Sequence, residues 1–306
     1  MLYGSGTVKY CPTFVKMSDS TNIEALIHLI DDPDENIFLH VRDRLLQYGP
    51  DAIPYLENSW GEKDFGLIFL TRVEQLIHEI QFEYTKKQLQ LWFEGEKDLL
   101  SGAIAVARYQ YPGLDEDHIR EFIVEIRKEI WLELSHRQTA FEKVRIFNKI
   151  FFGKYRFHGD SKDFHAPQNS YINTVIDSRK GNPLSLSILY SVVAQSLGMP
   201  VYGVNLPNHF VLAYIDEDGI NQFTKAGNKT GILFYINPFS KGGLFDEGEI
   251  HDFLKNLNLP ASREYFEPCS NTAVIRRMIT NLISAFQQAG NAERVKELTE
   301  LRDILS

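Results

Sequence analysis

Apolar residues recur at helical spacing along most of the chain, and only near residue 200 does the period change to that of strands. Ile23, Leu26, Ile27 and Ile30 mark one helix face. Asp31-Asp32-Pro33-Asp34 breaks it, and Ile37, Val41, Leu45 and Leu46 mark the next. Gly49-Pro50 closes that second helix, and Ala52-Ile53-Pro54-Tyr55-Leu56 begins a third. Residues 65–93 predict one or two further helices with Leu70, Val73, Leu76, Ile77 and Ile80 along a stripe. Residues 98–111 predict an alanine-rich helix. A long amphipathic helix is expected over 115–134, with Ile119, Phe122, Ile123, Ile126 and Ile130 inward, and another over 141–152. Residues 153–167 read as a polar loop and 1–20 as a loose extension, with Met17 a possible natural start.

The stretch 169–214 has a different pattern. Asn182-Pro183 opens a helix, because a proline is tolerated in the first turn, where its missing N–H has no partner in any case. Residues 184–197 are almost all apolar or small, which predicts a central helix wrapped by protein on nearly every side. Gly198 ends it and Met199-Pro200 prevents continuation. Strands are expected at 201–204 and 209–214, with Pro207-Asn208 the turn between them and His209 at the mouth of the second. A helix start and a histidine beside turns are where a papain-like site places nucleophile and base. Beyond this, Asp216-Glu217-Asp218-Gly219 is a hairpin turn, 222–224 a strand and 231–237 a buried strand. Lys241-Gly242-Gly243 is a turn and 247–257 a short helix. The helices expected at 272–289 and 292–305 join at Gly290-Asn291 as an αα-hairpin.

Asn169, the run Arg179-Lys180-Gly181-Asn182-Pro183-Leu184-Ser185-Leu186-Ser187, Leu197-Gly198-Met199-Pro200 and Pro207-Asn208-His209-Phe210 together resemble the SirB-type branch of the transglutaminase-like superfamily. The resemblance extends from about residue 99 to the C-terminus. It implies an α+β fold whose transglutaminase-like (papain-like) core carries a small antiparallel sheet. Members of the branch are often described as regulators of an invasion-gene regulator, often carry TPR-like helices, and occur in some eukaryotic F-box proteins. The expected organisation is a flexible extension (1–20), a helical HEAT-like region (21–97), the core (98–268) and a TPR-like hairpin (269–306) whose other reading is a helical cap.

Active members of the superfamily read Gly-x-Cys at the start of the central helix, fifteen residues before a Gly-x-Pro turn. Counting back from Gly198 gives Pro183, which has no nucleophile. The family histidine corresponds to His209, and the family aspartate before a proline to Asn237. The resemblance therefore implies a non-catalytic protein- or peptide-binding or regulatory module, with Asn169, Arg179, Asn182, Ser185, Asn208 and His209 as candidate binding residues. The alternative is a hydrolase or acyl-transfer enzyme in which His209 activates Ser185 or Ser187, although hydroxyls in a buried helix more often bond a carbonyl one turn back. Asparagine at 237 lacks the charge that stabilises an imidazolium, so a hydrogen bond from Asn237 would hold His209 for shape. Arg179 and Lys180 place positive charge at the helix start, suited to a carboxylate or phosphate. The competing reading pairs Arg179 with Asp177 or a core loop.

His158, Asp160, Asp163 and His165 can be written as a metal site, but no helical ligand pair fixes two of them together, and the reading kept is a surface loop. No metal or cofactor is expected. The 306 residues carry a net charge of −9, which disfavours nucleic acid and anionic membranes as partners. Cys11 and Cys269 show no partner spacing and read as free thiols. With no apolar run long enough for a bilayer and no secretion signal in 1–17, the expected location is the cytoplasm.

Overall fold

The helical periodicity of the first hundred residues becomes helices close to the expected places in the computed structural model, which describes residues 17–59, 66–163, 166–215 and 231–306. Cys11, Phe65, His165, the turn at 216–219 and the strand expected at 222–224 lie outside the described residues. Two units result, Met1–Leu91 with Arg108–Leu114, and Trp92–Ala107 with Asp115–Ser306. The whole is mostly helical with small sheets.

In the first unit, α1 (Met17–His28), α2 (Glu35–Tyr48) and α3 (Ile53–Ser59) precede α4 (Leu67–Glu94), a single helix over the stretch read as one or two. Helix α1 begins at Met17, inside the stretch expected to be an extension. Ile23, Ile27, Ile30, Val41, Leu45, Leu56, Val73, Leu76 and Ile80 share one core. The break after α1 is fixed by Arg72, which donates to the carbonyls of Ile30 (2.7 Å) and Asp32 (2.9 Å) and lies 4.2 Å from the Phe38 ring centroid. This sets the phase of α2: Asp34 caps it, Phe38 turns inward, and Ile37, expected inward, is 38% exposed.

In the second unit, α5 (Leu99–Gln110, to Ala107), α6 (Glu116–Glu133) and α7 (Ala140–Asn148) are followed by one π-helical turn over Lys149–Lys154. Every inward position predicted for α6 is buried. Next come β1 (His158–Gly159), α8 (Ile172–Ser178), β2 (Lys180–Gly181) and α9 (Pro183–Ser196). The strands β3 (Val201–Val204), β4 (Val211–Ile215), β5 (Ile232–Asn237) and β6 (Gly243–Phe245) form one antiparallel sheet in that order. Helices α10 (Glu247–Asn256), α11 (Asn271–Gln288) and α12 (Ala292–Asp303) complete the chain. The last two pack as a hairpin through Gly290 at φ +71°.

Four details depart from the sequence reading. Strand β4 starts at Val211, because Asn208 takes φ +55° and the His209 N–H donates to the Leu206 carbonyl (3.3 Å), holding His209 in the turn. The turn at Lys241 (φ +54°) and Gly242 (φ +72°) leads into β6, which pairs only with Tyr235–Asn237. Among the described residues no strand pairs with the first half of β5 on that side, and Leu233, in a strand expected to be buried, is 51% exposed. Within the supposed polar loop, β1 pairs parallel to β2, the His158 N–H donating to the Arg179 carbonyl and the Asp160 N–H to the Gly181 carbonyl (both 3.0 Å).

Helix α9 is buried from Pro183 to Ser191 and again at Val193 and Ala194. It packs against β3, β4, α6, α8, α11 and the Pro238–Ser240 turn. Tyr190 packs against Phe147 with the rings tilted and their centroids 4.1 Å apart, and donates its hydroxyl proton to Asn148 Oδ1 (2.9 Å), while Asn148 Nδ2 donates to the Gly242 carbonyl (2.9 Å). A Cβ at Gly242 would stand 2.4 Å from Asn148 Oδ1, so glycine is required there for space as well as for φ. Among the described residues no helix is long and apolar enough to cross a membrane.

Leu189, in the middle of α9, is 0% exposed. Leu189→Asp buries a carboxylate without a partner, a cost of several kcal/mol against a total stability of about 5–15 kcal/mol. The expected result is loss of the cooperative thermal transition, and an unchanged melting temperature would refute the burial.

Candidate functional site

The start of α9 is built from short polar side chains. Asn182 is the N-cap: its Oδ1 accepts from the Ser185 N–H (2.9 Å), and its own N–H donates to Ser185 Oγ (3.0 Å), a reciprocal capping box with Pro183 at the first helical position. The Ser185 hydroxyl donates to the Asn169 carbonyl (2.5 Å). Asn182 Nδ2 donates to Ser170 Oγ (2.9 Å), and Asn169 Nδ2 to the Asp163 carbonyl (2.7 Å). Asn169, Ser170, Asn182 and Ser185 are all buried, so the network is internal to the protein. Gly181 makes room for it, since a Cβ there would lie 2.7 Å from Ser185 Oγ. One turn along, the Ser187 hydroxyl donates to the Pro183 carbonyl (2.7 Å), the back-bond to a carbonyl one turn earlier.

His209 stands in the turn between β3 and β4, near enough to the Asn237 side chain for hydrogen bonding from it to favour the protonated ring. The β4–β5 register brings Asn237 to the same end of the sheet. Asn237 Oδ1 also accepts from the Ser240 N–H (3.2 Å), capping the turn after β5. Burial pushes the imidazole below its ordinary pKa, the bond to Asn237 works against this, and the charge of Arg277 adds to the lowering. Arg277, on α11, donates to Asn205 Oδ1 (2.8 Å) and the Leu206 carbonyl (3.5 Å), tying down the turn that carries His209. Nothing in the sequence pointed to Arg277, because it lies some seventy residues away on a helix read only for its apolar stripe.

The structure thus gathers Asn169, Asn182 and Ser185 in one network and His209 with Asn237 in a second. Asn208 is exposed. Arg179 goes elsewhere: in the left-handed conformation (φ +62°) after α8, its guanidinium lies 4.4 Å from the Phe122 ring centroid, 5.1 Å from Phe157 and 5.9 Å from Tyr155. Burial among these rings lowers its pKa, and Nη1 is buried without a hydrogen-bond partner. Asp177, one of the partners considered for it, lies instead 3.7 Å from His118. In the loop before α8, Asp160 accepts from the Lys162 and Asp163 N–H groups, which holds its carboxyl below the usual range, and His158 Nδ1 is 2.9 Å from the Arg156 carbonyl. Burial pushes the Cys269 thiol up to about 11, so it stays protonated near neutrality.

A buried, asparagine-capped helix leading into antiparallel strands, with a histidine in the turn between them, has the organisation of a transglutaminase-like domain. The model of the transglutaminase-like superfamily matches residues 117–280, more than half of the chain, and the chain belongs to that superfamily. Among its relatives, the UPF0162 protein of Xylella fastidiosa is 27% identical over 206 residues, 64% of this chain and 67% of that protein. The UPF0162 protein of Vibrio cholerae is 24% identical over 191 residues, 61% of this chain and 66% of that one. F-box only protein 21 of Mus musculus is 28% identical over 160 residues, half of this chain but 24% of the mouse protein. No solved structure matches the chain.

Two measurements check this geometry. Ser185→Ala opens the capping box and leaves the Asn182 N–H with only its 3.3 Å bond to the Asn169 carbonyl, and should lower stability by about 1–3 kcal/mol in urea titration. A loss below a few tenths would refute the network. The second concerns pH. His209 binds its proton less readily folded than unfolded, so its contribution is complete above the ordinary histidine pKa of 6.5 and is lost as pH falls from there toward the folded value. The urea midpoint should decline on acidification through that window, and His209→Gln should flatten the decline; identical pH profiles would show that His209 is not held neutral.

Proposed function

We propose that this chain is a non-catalytic, SirB-type member of its superfamily that binds a protein or peptide as a regulatory module. The observation that carries the reading is the state of the α9 N-terminus. The position that holds cysteine in active members is the buried Pro183, and both nearby hydroxyls are committed, Ser185 to the capping box and the Asn169 carbonyl, Ser187 to the Pro183 carbonyl. A serine nucleophile would have to surrender one of these bonds and be activated by a base, whereas His209 is engaged by asparagine.

In this reading the papain-like core spans 98–268, and Asn169, Asn182, Ser185, Asn208 and His209 shape the cleft region. Arg179 acts from beneath, through the aromatic rings it sits among. The HEAT-like region (21–97) and the TPR-like hairpin (269–306) precede and follow the core along the chain, and each offers helical surface of its own to a partner in the cytoplasm. The partial coverage of the mouse F-box relative supports a domain that serves as a module within longer proteins. The hydrolase alternative, His209 with Ser185 or Ser187, gains no support from these bonds.

The test is turnover of a panel of peptide, ester and glutamine-amide substrates by the unmodified protein and by His209→Ala. No turnover above buffer is expected from either. Turnover that disappears with His209→Ala and again with Ser185→Ala or Ser187→Ala would establish the hydrolase instead.

A further inference from the structure

Helix α6 separates its charges. Glu125, Glu129 and Glu133, spaced i, i+4 and i+8, run down one flank, and each is engaged by the segment after α7. The Tyr155 hydroxyl donates to Glu125 (3.1 Å), Lys154 pairs with Glu129 (2.7 Å) and Lys149 with Glu133 (3.2 Å). The outward face is different. Val124, Arg127, Lys128 and Trp131 follow i, i+3, i+4 and i+7, so they form one continuous strip, and Leu132 adjoins it. Val124 is 59% exposed, Trp131 64% and Leu132 67%, while Arg127 and Lys128 are exposed and, among the described residues, have no hydrogen-bond or ion-pair partner. Asp117 and Glu121 lie on the same face nearer the helix start, so the free cations belong to its C-terminal half, beside the tryptophan.

The helix dipole accounts for cations near a C-terminus. It does not account for a tryptophan and a leucine left in water beside them, a composition that marks binding anchors, where tryptophan and arginine dominate. We propose that this face of α6 docks a short acidic segment of a partner protein, its apolar side chains covering Trp131 and Leu132 and its carboxylates meeting Arg127 and Lys128. Charge selects this occupant. A second copy whose two-fold axis met the strip at Arg127 and Lys128 would set those cations of both copies against one another, and an axis nearer Val124 that paired them with Asp117 and Glu121 would set Trp131 and Leu132 against the polar start of the helix. An anionic membrane would present an extended negative plane to a chain of net charge −9, with two free cations on this strip to offset it. A peptide meets only the local patch, within a screening length of about 8 Å at physiological salt. The proposal does not depend on His209 or the α9 N-terminus, so it stands or falls separately from the loss of catalysis.

The probe is a random dodecapeptide library displayed on phage and selected against the full chain, with a Trp131→Ala/Lys128→Glu double variant as soluble competitor. Both substituted residues are exposed, so the variants should keep the thermal transition of the parent. If Trp131→Ala alone did shift it, Lys128→Glu and Arg127→Glu would carry the comparison. The expected result is enrichment of peptides with several Asp or Glu beside Leu, Phe or Trp. Their affinity for the purified chain should fall about tenfold with each single substitution, roughly the 1.4 kcal/mol of a tenfold change, and should weaken with salt. Selected peptides without acidic residues, or acidic ones that bind all variants equally, would overturn the proposal. So would self-association, or binding to phosphatidylserine vesicles, that disappears with Trp131→Ala.

Discussion

Burying the start of a helix is the constraint on which the second unit depends. The first turn of any helix presents N–H groups with no partner inside the helix, and away from water each one left unpaired is costly. Here Pro183 removes one donor, the Asn182 carboxamide takes up the Ser185 N–H, and Ser185 returns the bond to the Asn182 N–H. The remaining capacity of Asn182 and Ser185 is then satisfied by Ser170 and the Asn169 carbonyl, which ties the turn before α8 to the start of α9. Gly181 belongs to the same solution, because a side chain there would displace the serine hydroxyl. Proline at 183 thus has a structural role. It is part of how this helix start is made compatible with burial.

Much of this was legible beforehand. The asparagine and proline before an apolar run placed the start of α9 correctly, and the glycine and proline after it placed the end. The change of period near residue 200 announced the sheet, because alternation and helical spacing are physically distinct patterns. What the pattern missed were features with no period. The β1–β2 bridge is two residues long, and β6 is three residues following a turn. Ile37 was misplaced because the phase of α2 is set by the Asp34 cap and by Arg72, which comes from another helix. Ser170, like Arg277, escaped notice because its partner is brought to it by folding rather than by spacing.

The histidine turn shows the same dependence on distant residues. Its backbone is closed locally by the His209 N–H to the Leu206 carbonyl, yet its place is set by Arg277 from α11 and by Asn237 from β5. Helix α11 also packs on α9, so the C-terminal hairpin is joined to both halves of the candidate site. Burial, with a guanidinium nearby, outweighs the opposing effect of Asn237, and the surroundings favour the neutral imidazole. A neutral ring retains one donor and one acceptor.

Catalysis by acyl transfer requires groups held in readiness: a nucleophile free to attack, a base with a proton to take, and donors aimed where charge will develop. At the start of α9 the polar side chains instead satisfy one another and the backbone, and little chemical capacity is left over. On α6 the distribution is reversed. In its C-terminal half the carboxylates are spent on Lys149, Lys154 and Tyr155, while two cations beside a tryptophan face solvent. Of these two places, it is the exterior helix face that keeps side chains without partners among the described residues. That distribution is what a protein-binding role would call for, and it separates the residues that keep the fold from those available to a partner.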